Sequence, residues 1–282
     1  MEIVSKASRM REVAKALHAR QQSLAFVPTM GALHEGHLSL VRRARELADA
    51  VVVSIFVNPT QFGPNEDFTR YPRDLENDCR ILSALDVDYL FTPEVEEMYP
   101  DDSRTFVEVE SWGDYLCGST RPGHFRGVTT VVAKLFNIVA PDFAVFGRKD
   151  AQQAILIERM TRDLNFDVRI VTCPIVREPD GLAMSSRNRY LNPEQRQAAL
   201  VLGRSLLHAR AIIENGERDA SVIQKGMREV FDREPLARVG YIELVDPTTL
   251  RAVDTVRKGT LIAVAAHVGT TRLIDNWSVE VP

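Results

Sequence analysis

Two histidines three residues apart, His34 and His37, close the string Pro28-Thr29-Met30-Gly31-Ala32-Leu33-His34-Glu35-Gly36-His37. At that spacing two imidazoles could point to one side of a turn. Further along, Gly147-Arg148-Lys149-Asp150 offers an ammonium at Lys149. A compact cation of that kind can neutralise charge developing on a transferred phosphoryl group. Met184-Ser185-Ser186-Arg187-Asn188 adds two hydroxyls and a permanent positive charge, a donor set that suits phosphate. Gln61, in Asn58-Pro59-Thr60-Gln61-Phe62-Gly63-Pro64, and Gln153 are uncharged groups able to hold a hydroxyl or a carboxylate. Arg121, His124 and Arg126 lie in one Gly- and Pro-bounded stretch. They would suit a phosphate or carboxylate, or equally a solvated loop. Each group has a plain structural alternative: surface histidines on a Gly-containing loop, a polar loop residue at Gln61, an N-cap at Asp150.

The elements that must position these groups read as alternating strands and helices. Residues 5–20 carry Met10, Val13, Ala14 and Leu17 on one helical face. Leu24–Val27 reads as a strand, and Leu40, Val41, Ala44 and Leu47 recur at helical spacing after the histidines. The histidine string is therefore a strand-to-helix connection, and a helix start presents unpaired N–H groups and a positive dipole end to anions. Gly31 and Gly36 allow close backbone approach. Ala50–Val57 is a continuous apolar, β-branched run that suits a parallel strand covered on both faces. The Gln61 loop leaves the carboxyl end of that strand, the edge where ligands sit in open α/β sheets. Asn65 through Arg73 reads as a charged loop, Thr105–Val109 as an accessory strand, and Val128–Val139 as a buried helix. Asp142–Phe146 and Phe166–Val171 are further strands. After Tyr190-Leu191-Asn192-Pro193 the pattern changes to one long helix over 194–214, a second over 220–232, and strands at 239–245, 260–266 and 272–276. The spacing thus predicts an α/β fold: a doubly wound, mostly parallel, Rossmann-like sheet over 1–187. A smaller C-terminal α+β domain follows over 188–282 and closes the site.

The chain of 282 residues is 45% hydrophobic and 26% charged, ordinary for a soluble globular protein. A net charge of −4 gives no support to nucleic-acid binding. The odd, scattered Cys79, Cys117 and Cys173 suit free thiols in a reducing compartment. With no signal region and no membrane-length apolar run, the expected location is the cytoplasm. The histidine string is not a Gly-x-Gly-x-x-Gly fingerprint, a P-loop or His-Glu-x-x-His.

The His-x-Gly-His arrangement resembles the signature of nucleotidyltransferases and class I aminoacyl-tRNA synthetases, with Met184–Asn188 in the place of their second signature. The whole string is narrower. With Phe56–Phe62, Tyr71-Pro72-Arg73, Gly123–Gly127, Phe146–Asp150 and Met184–Asn188, the chain resembles the pantothenate synthetase family. That resemblance implies an ATP- and Mg2+-dependent homodimeric ligase that joins pantoate to β-alanine through a pantoyl adenylate. It implies that His34, His37, Lys149, Ser185, Ser186 and Arg187 meet the phosphates, with His37, His34, Lys149 and Arg187 as catalytic groups. Met30, Gly31, Ala32, Leu33, Glu35, Gly36, Gly147, Arg148, Asp150, Val176 and Met184 would complete the nucleotide site. Gln61, Gln153, Asn58 and His124 would hold pantoate and β-alanine, and no protein ligand to the metal is indicated. Thr60 and Arg148 depart from the frequent residues of that pattern. The competing reading is a nucleotidylyltransferase that moves AMP onto a phosphate acceptor. A synthetase relative is disfavoured by the absence of an evident RNA-binding extension, and a nucleotide sensor would be non-catalytic.

Overall fold

A computed structural model describes residues 1–64 and 66–280; within the loop expected from Asn65 to Arg73, Asn65 lies outside the described residues. The chain runs β1 (Glu2–Val4), α1 (Ala7–Ala19), β2 (Leu24–Thr29), α2 (Glu35–Leu47), β3 (Ala50–Ile55), α3 (Leu75–Ser83), β4 (Tyr89–Phe91), α4 (Val95–Met98) and α5 (His124–Val139). It continues through β5 (Phe143–Gly147), α6 (Ala151–Asp163), β6 (Arg169–Cys173), α7 (Pro193–Ala199), α8 (Val201–Glu214), α9 (Ala220–Phe231), β7 (Ala237–Val245), β8 (Leu261–Val268) and β9 (Thr271–Ser278).

The first six strands form one sheet in the order β1-β4-β3-β2-β5-β6, every pair parallel. Residues alternate across it as a pleat requires. Ala25, Val27, Val51, Val53, Leu90 and Val145 share a buried cluster with Leu40, Val41 and Ala44 of α2 and Leu82 of α3. Phe26 and Val52, out of phase with them, are also fully buried, so both faces are covered. From β2 the chain winds outward through β3 to β4, and from β5 outward to β6. The strand order reverses between β2 and β5, and such a switch point opens a crevice at the carboxyl ends of its strands. The histidine string leaves β2 and Gly147-Arg148 ends β5, so both emerge at that point.

The last three strands form an antiparallel sheet, β7-β8-β9. One face buries Ile242, Leu244, Ile262, Val264, Ala266, Val268 and Leu273 against Leu202, Leu206, Ala209 and Ile213 of α8 and Ile223, Met227 and Phe231 of α9. The architecture is the expected one: a Rossmann-like parallel sheet plus a smaller C-terminal α+β part.

Several boundaries differ from the sequence expectation. Thr105–Val109 is not a strand: the Val107 amide donates to Thr130 Oγ1 (2.9 Å) and its carbonyl accepts from Thr129 Oγ1 (2.6 Å), so side chains of α5 take the place of a ladder. The helix expected over 194–214 is two, α7 and α8, meeting at Leu200. The short β1 carries too few residues to show a period and was not anticipated. His124 and Phe125 lie inside α5 rather than in a loop.

Two compact units partition the chain. One is Met1–Gly113, Arg121–Arg148 and Leu156–Pro174; the other is Asp114–Thr120, Lys149–Ile155 and Ile175–Pro282. The second unit thus takes in segments well before residue 188. Local bonds explain this: buried Gln152 donates to the Tyr115 carbonyl (2.7 Å) and accepts from the Cys117 amide (2.9 Å), and Asn276 donates to the Lys149 carbonyl (2.9 Å).

Candidate active site

In the first unit the histidine string is built from β2 upward. Thr29 Oγ1 donates to the Ser54 carbonyl (2.7 Å) and accepts from the Gly31 amide (3.1 Å), tying the loop to β3. Gly31 (φ +78°) and Ala32 (φ +51°) are both left-handed. A Cβ at Gly31 would lie 2.9 Å from Ile55 Cγ2 and 3.1 Å from Asp78 Oδ2, so the glycine is required there both for its φ and for space. Asp78, on α3, accepts the Ala32 amide (2.8 Å) and the Leu33 amide (2.9 Å) with its two oxygens.

His34 caps α2 in extended conformation, and its carbonyl accepts the His37 and Leu38 amides (2.7 and 3.1 Å). The His34 amide donates to His37 Nδ1 (3.3 Å). A neutral His37 ring accepting at Nδ1 carries its proton on Nε2, which makes Nε2–H the donor of that ring. The two rings stack with centroids 4.1 Å apart and tilted by 35°. Glu35 turns to Arg42, whose hydrogen-bonded guanidinium holds its carboxyl below the usual range; what Glu35 and Gly36 contribute at the helix start is backbone amides.

Gln61 sits in a second cluster of the same unit. Buried Asn58 donates through Nδ2 to Gln61 Oε1 (3.0 Å) and to the Gly127 carbonyl (3.1 Å), while Gln61 Nε2 lies 3.2 Å from Met30 Sδ. Met30 and Gln61 are therefore in contact. Thr60 Oγ1 donates to Asn58 Oδ1 (2.9 Å), which gives the unusual threonine a local role. Arg121 makes a two-pronged pair with Glu66 (2.6 Å each) and approaches His124 Nε2 (2.9 Å). Arginine only donates, so His124 Nε2 accepts and Nδ1–H donates to the Gln61 carbonyl (2.7 Å). Burial pushes the Glu66 carboxyl up, but the Arg121 guanidinium outweighs it and holds the group below its usual range. Arg126 stacks on Phe106, 3.9 Å from the ring centroid. Of the three groups in this stretch, Arg121 is paired with Glu66, His124 is hydrogen-bonded between Arg121 and Gln61, and Arg126 packs on an aromatic ring. Arg148, after β5, lies near Glu158, whose carboxyl burial pushes up and Arg148 partly draws back.

The second unit carries the other signature. Lys149 Nζ lies 3.9 Å from Asp150 Oδ2, and Gln153 is half-buried, one position beyond the inward-facing Gln152. From Val176 the chain makes a small hairpin. The Met184 amide donates to the Val176 carbonyl (3.0 Å) and the Glu178 amide to the Leu182 carbonyl (2.8 Å). Arg177 grips Asp275 on β9 with two bonds (2.7 and 2.9 Å), and Asp275 is only 3% exposed. Asn188 closes the hairpin's end by donating to Glu178 Oε1 (2.6 Å) and the Ala183 carbonyl (3.1 Å). Ser185 caps the following turn by accepting the Arg187 amide (3.3 Å). Within this unit the structure gathers Val176, Met184, Ser185, Ser186 and Arg187 on one braced loop. The Arg272 guanidinium reaches Cys117 Sγ (3.4 Å) and lies over Tyr241 (5.9 Å to the ring centroid); burial draws its pKa down, but Cys117 and Tyr241 together outweigh burial and Arg187 and raise it.

Asp78, Glu66, Asp275 and Arg272 were not singled out from the sequence. Their hydrogen-bond partners lie far away in the chain, and no local spacing marks them. Among the described residues no cluster of three or more His, Cys, Asp or Glu could hold a metal ion. No helix among the described residues is long and apolar enough to cross a membrane.

A parallel sheet with a His-x-Gly-His turn at its switch point defines an α/β enzyme of the nucleotide-binding class. The comparison with known families makes this specific. The chain belongs to the pantoate-β-alanine ligase family, whose model matches residues 2–278. It is 56% identical to the pantothenate synthetase of Thermoanaerobacter pseudethanolicus over 276 residues, 98% of each chain. It is 54% identical to that of Thermosipho africanus, covering 99% and 100%. Among solved structures, the pantothenate synthetase of Thermus thermophilus superposes with a TM-score of 0.94 at 46% identity, covering 99% and 100%. The pantoate-β-alanine ligase of Francisella tularensis, solved with β,γ-ATP and β-alanine, gives 0.80 at 35% identity, covering 99% and 97%.

Proposed function

We propose that this chain condenses pantoate with β-alanine, consuming ATP and releasing AMP and pyrophosphate. The observation that carries the reading is the family match over residues 2–278. A carboxylate is a poor electrophile because its leaving group would be oxide. In the first step a pantoate carboxylate oxygen forms a bond to the α-phosphorus of ATP, and the bond to the β-phosphate oxygen breaks, giving pantoyl adenylate and pyrophosphate. In the second, the β-alanine amine attacks the acyl carbon, the bond to AMP breaks, and the amine gives up a proton. Positioning and exclusion of water matter more here than a protein nucleophile.

In this reading His34, His37, Lys149, Ser185, Ser186 and Arg187 hold the phosphates, with His37 Nε2–H as a donor. Met30, Gly31, Gly147, Arg148, Asp150, Val176 and Met184 line the nucleotide. Gln61 and Gln153 hold pantoate, with Asn58 and His124 fixing Gln61. Residues 1–187 carry nucleotide and pantoate in this reading, and residues 188–282 form the smaller C-terminal domain. Among the described residues no cluster of His, Cys, Asp or Glu would hold a metal ion; a Mg2+ ion in this reading would be carried chiefly by the ATP phosphates, a common mode for this ion. A cytoplasmic homodimer belongs to the same proposal. The test is to supply ATP, Mg2+, pantoate and β-alanine and to measure AMP and pantothenate. Equimolar formation of both is expected. AMP transfer to a phosphate acceptor without use of β-alanine would overturn the reading in favour of a nucleotidylyltransferase.

A further inference from the structure

The positive end of a helix and its preceding loop invite an anion, and here one anion is already present. The Asp78 carboxylate, 1% exposed, accepts both the Ala32 and Leu33 amides, at 2.8 and 2.9 Å. It does so across two consecutive left-handed residues, Gly31 and Ala32. A left-handed alanine is unfavourable because its Cβ crowds the following carbonyl oxygen, so something must hold it. Asp78 comes from α3, forty-odd residues downstream, and it is itself set by the start of that helix, which Asp74 caps.

We propose that Asp78 is the positioning residue of the nucleotide loop. It occupies the Ala32 and Leu33 amides permanently and fixes the loop's left-handed bend. A phosphate is thereby directed onward to the first amides of α2, Glu35 and Gly36, and to the two stacked imidazoles. Asp78 does not touch substrate in this account. It acts through the loop that carries His34 and His37. The inference rests on the ATP-binding reading above and names a residue that reading does not use.

Asp78→Asn tests it. An amide keeps one acceptor and turns an N–H2 toward the other backbone N–H, so one of the two bonds is replaced by a donor facing a donor. The expected result is an ATP KM in pantoate-dependent pyrophosphate exchange raised at least tenfold, with pantoate affinity by calorimetry within twofold of the parent. A lowered Tm with an unchanged ATP KM would make Asp78 a merely structural residue and overturn the proposal. Hydrogen exchange on the parent protein decides the matter even if the variant does not fold. The Ala32 and Leu33 amides must be protected without nucleotide and unchanged by ATP, while Glu35 and Gly36 slow when ATP is added. Protection of Ala32 and Leu33 appearing only with ATP would overturn the proposal. Failure of the parent to bind ATP by calorimetry would instead count against the functional reading, since protection without nucleotide does not depend on it.

Discussion

Single side chains in this protein act through neighbours that fix their donors and acceptors. Arg187 is the permanent cation of the second signature, with its amide bonded to Ser185 Oγ at 3.3 Å. Arg187→Ala removes a charged hydrogen-bonding group, an effect of about 1.5–3 kcal/mol. ATP affinity should fall roughly tenfold to hundredfold, with β-alanine KM little changed; steady-state kinetics with each substrate varied would check it, and unchanged ATP saturation would remove Arg187 from the phosphate site. Glu66 gives a pH prediction. Its folded carboxyl lies below the ordinary 4.5 because Arg121 outweighs the cost of burial. A depressed acid contributes stability that is full above its unfolded pKa and is lost as pH falls through the folded one. Glu66→Gln should therefore lower Tm at pH 7, and the difference from the parent should shrink as pH falls below about 4.5. Thermal melts across that range would show it. A Tm gap constant down to the acid limit would mean the Glu66–Arg121 pair contributes nothing through charge.

At the scale of elements, close approach sets where the Gln61 turn lies against α5. A Cβ on Gly127 would collide with the Thr60 carbonyl oxygen and sit 2.8 Å from Gln61 Cα. Backbone cannot swing aside as a long side chain can, so Gly127→Ala must push helix and turn apart. Overpacking of this kind costs about 1–3 kcal/mol. The same shift should disturb Gln61 and weaken pantoate binding more than ATP binding. Paired calorimetric titrations would decide between this and a uniform loss, which would mean that only global stability had changed. The hairpin from Val176 to Ala183 depends similarly on a distant strand, through the Arg177–Asp275 pair. Each signature loop is thus held by a carboxylate from another element, Asp78 for the first and Asp275 for the second.

For the whole molecule the order of the chemistry follows from what the residues can supply. Phosphate-binding candidates lie on separate loops, and the free thiols Cys79, Cys117 and Cys173 are buried or half-buried. Burial pushes Cys79 and Cys173 up, away from nucleophilic thiolate. An adenylate route without an enzyme-bound acyl group fits that inventory. Pantoate alone should support exchange of labelled pyrophosphate into ATP, with no β-alanine present. Lys149→Ala and His37→Ala should suppress this exchange, and ready-made adenylate should partly restore product formation. Exchange that strictly required β-alanine, despite proven release and rebinding of pyrophosphate, would exclude the stepwise order. Undiminished exchange in both variants would spare the order and reject the two residues.

The sequence by itself determined the fold class and the reaction class. Apolar runs such as Ala50–Val57 and helical spacing at Leu40, Val41 and Ala44 are local periodicities, and local periodicity specifies which face is buried. The His-x-Gly-His and Ser-Ser-Arg strings are contiguous, so the family resemblance they carry could be read without a fold. Tertiary structure decided what those strings lean on. Nothing near residue 33 in sequence announces that Asp78 takes the Ala32 and Leu33 amides, nor that Arg177 meets Asp275. Nor could spacing reveal that Arg121, apparently an offered cation, is taken up by Glu66. These are pairings of charge and backbone across elements, made where partial or full burial leaves donors in need of an acceptor. Such pairings depend on which segments the fold brings together, and that information is not carried by the spacing of residues within one segment.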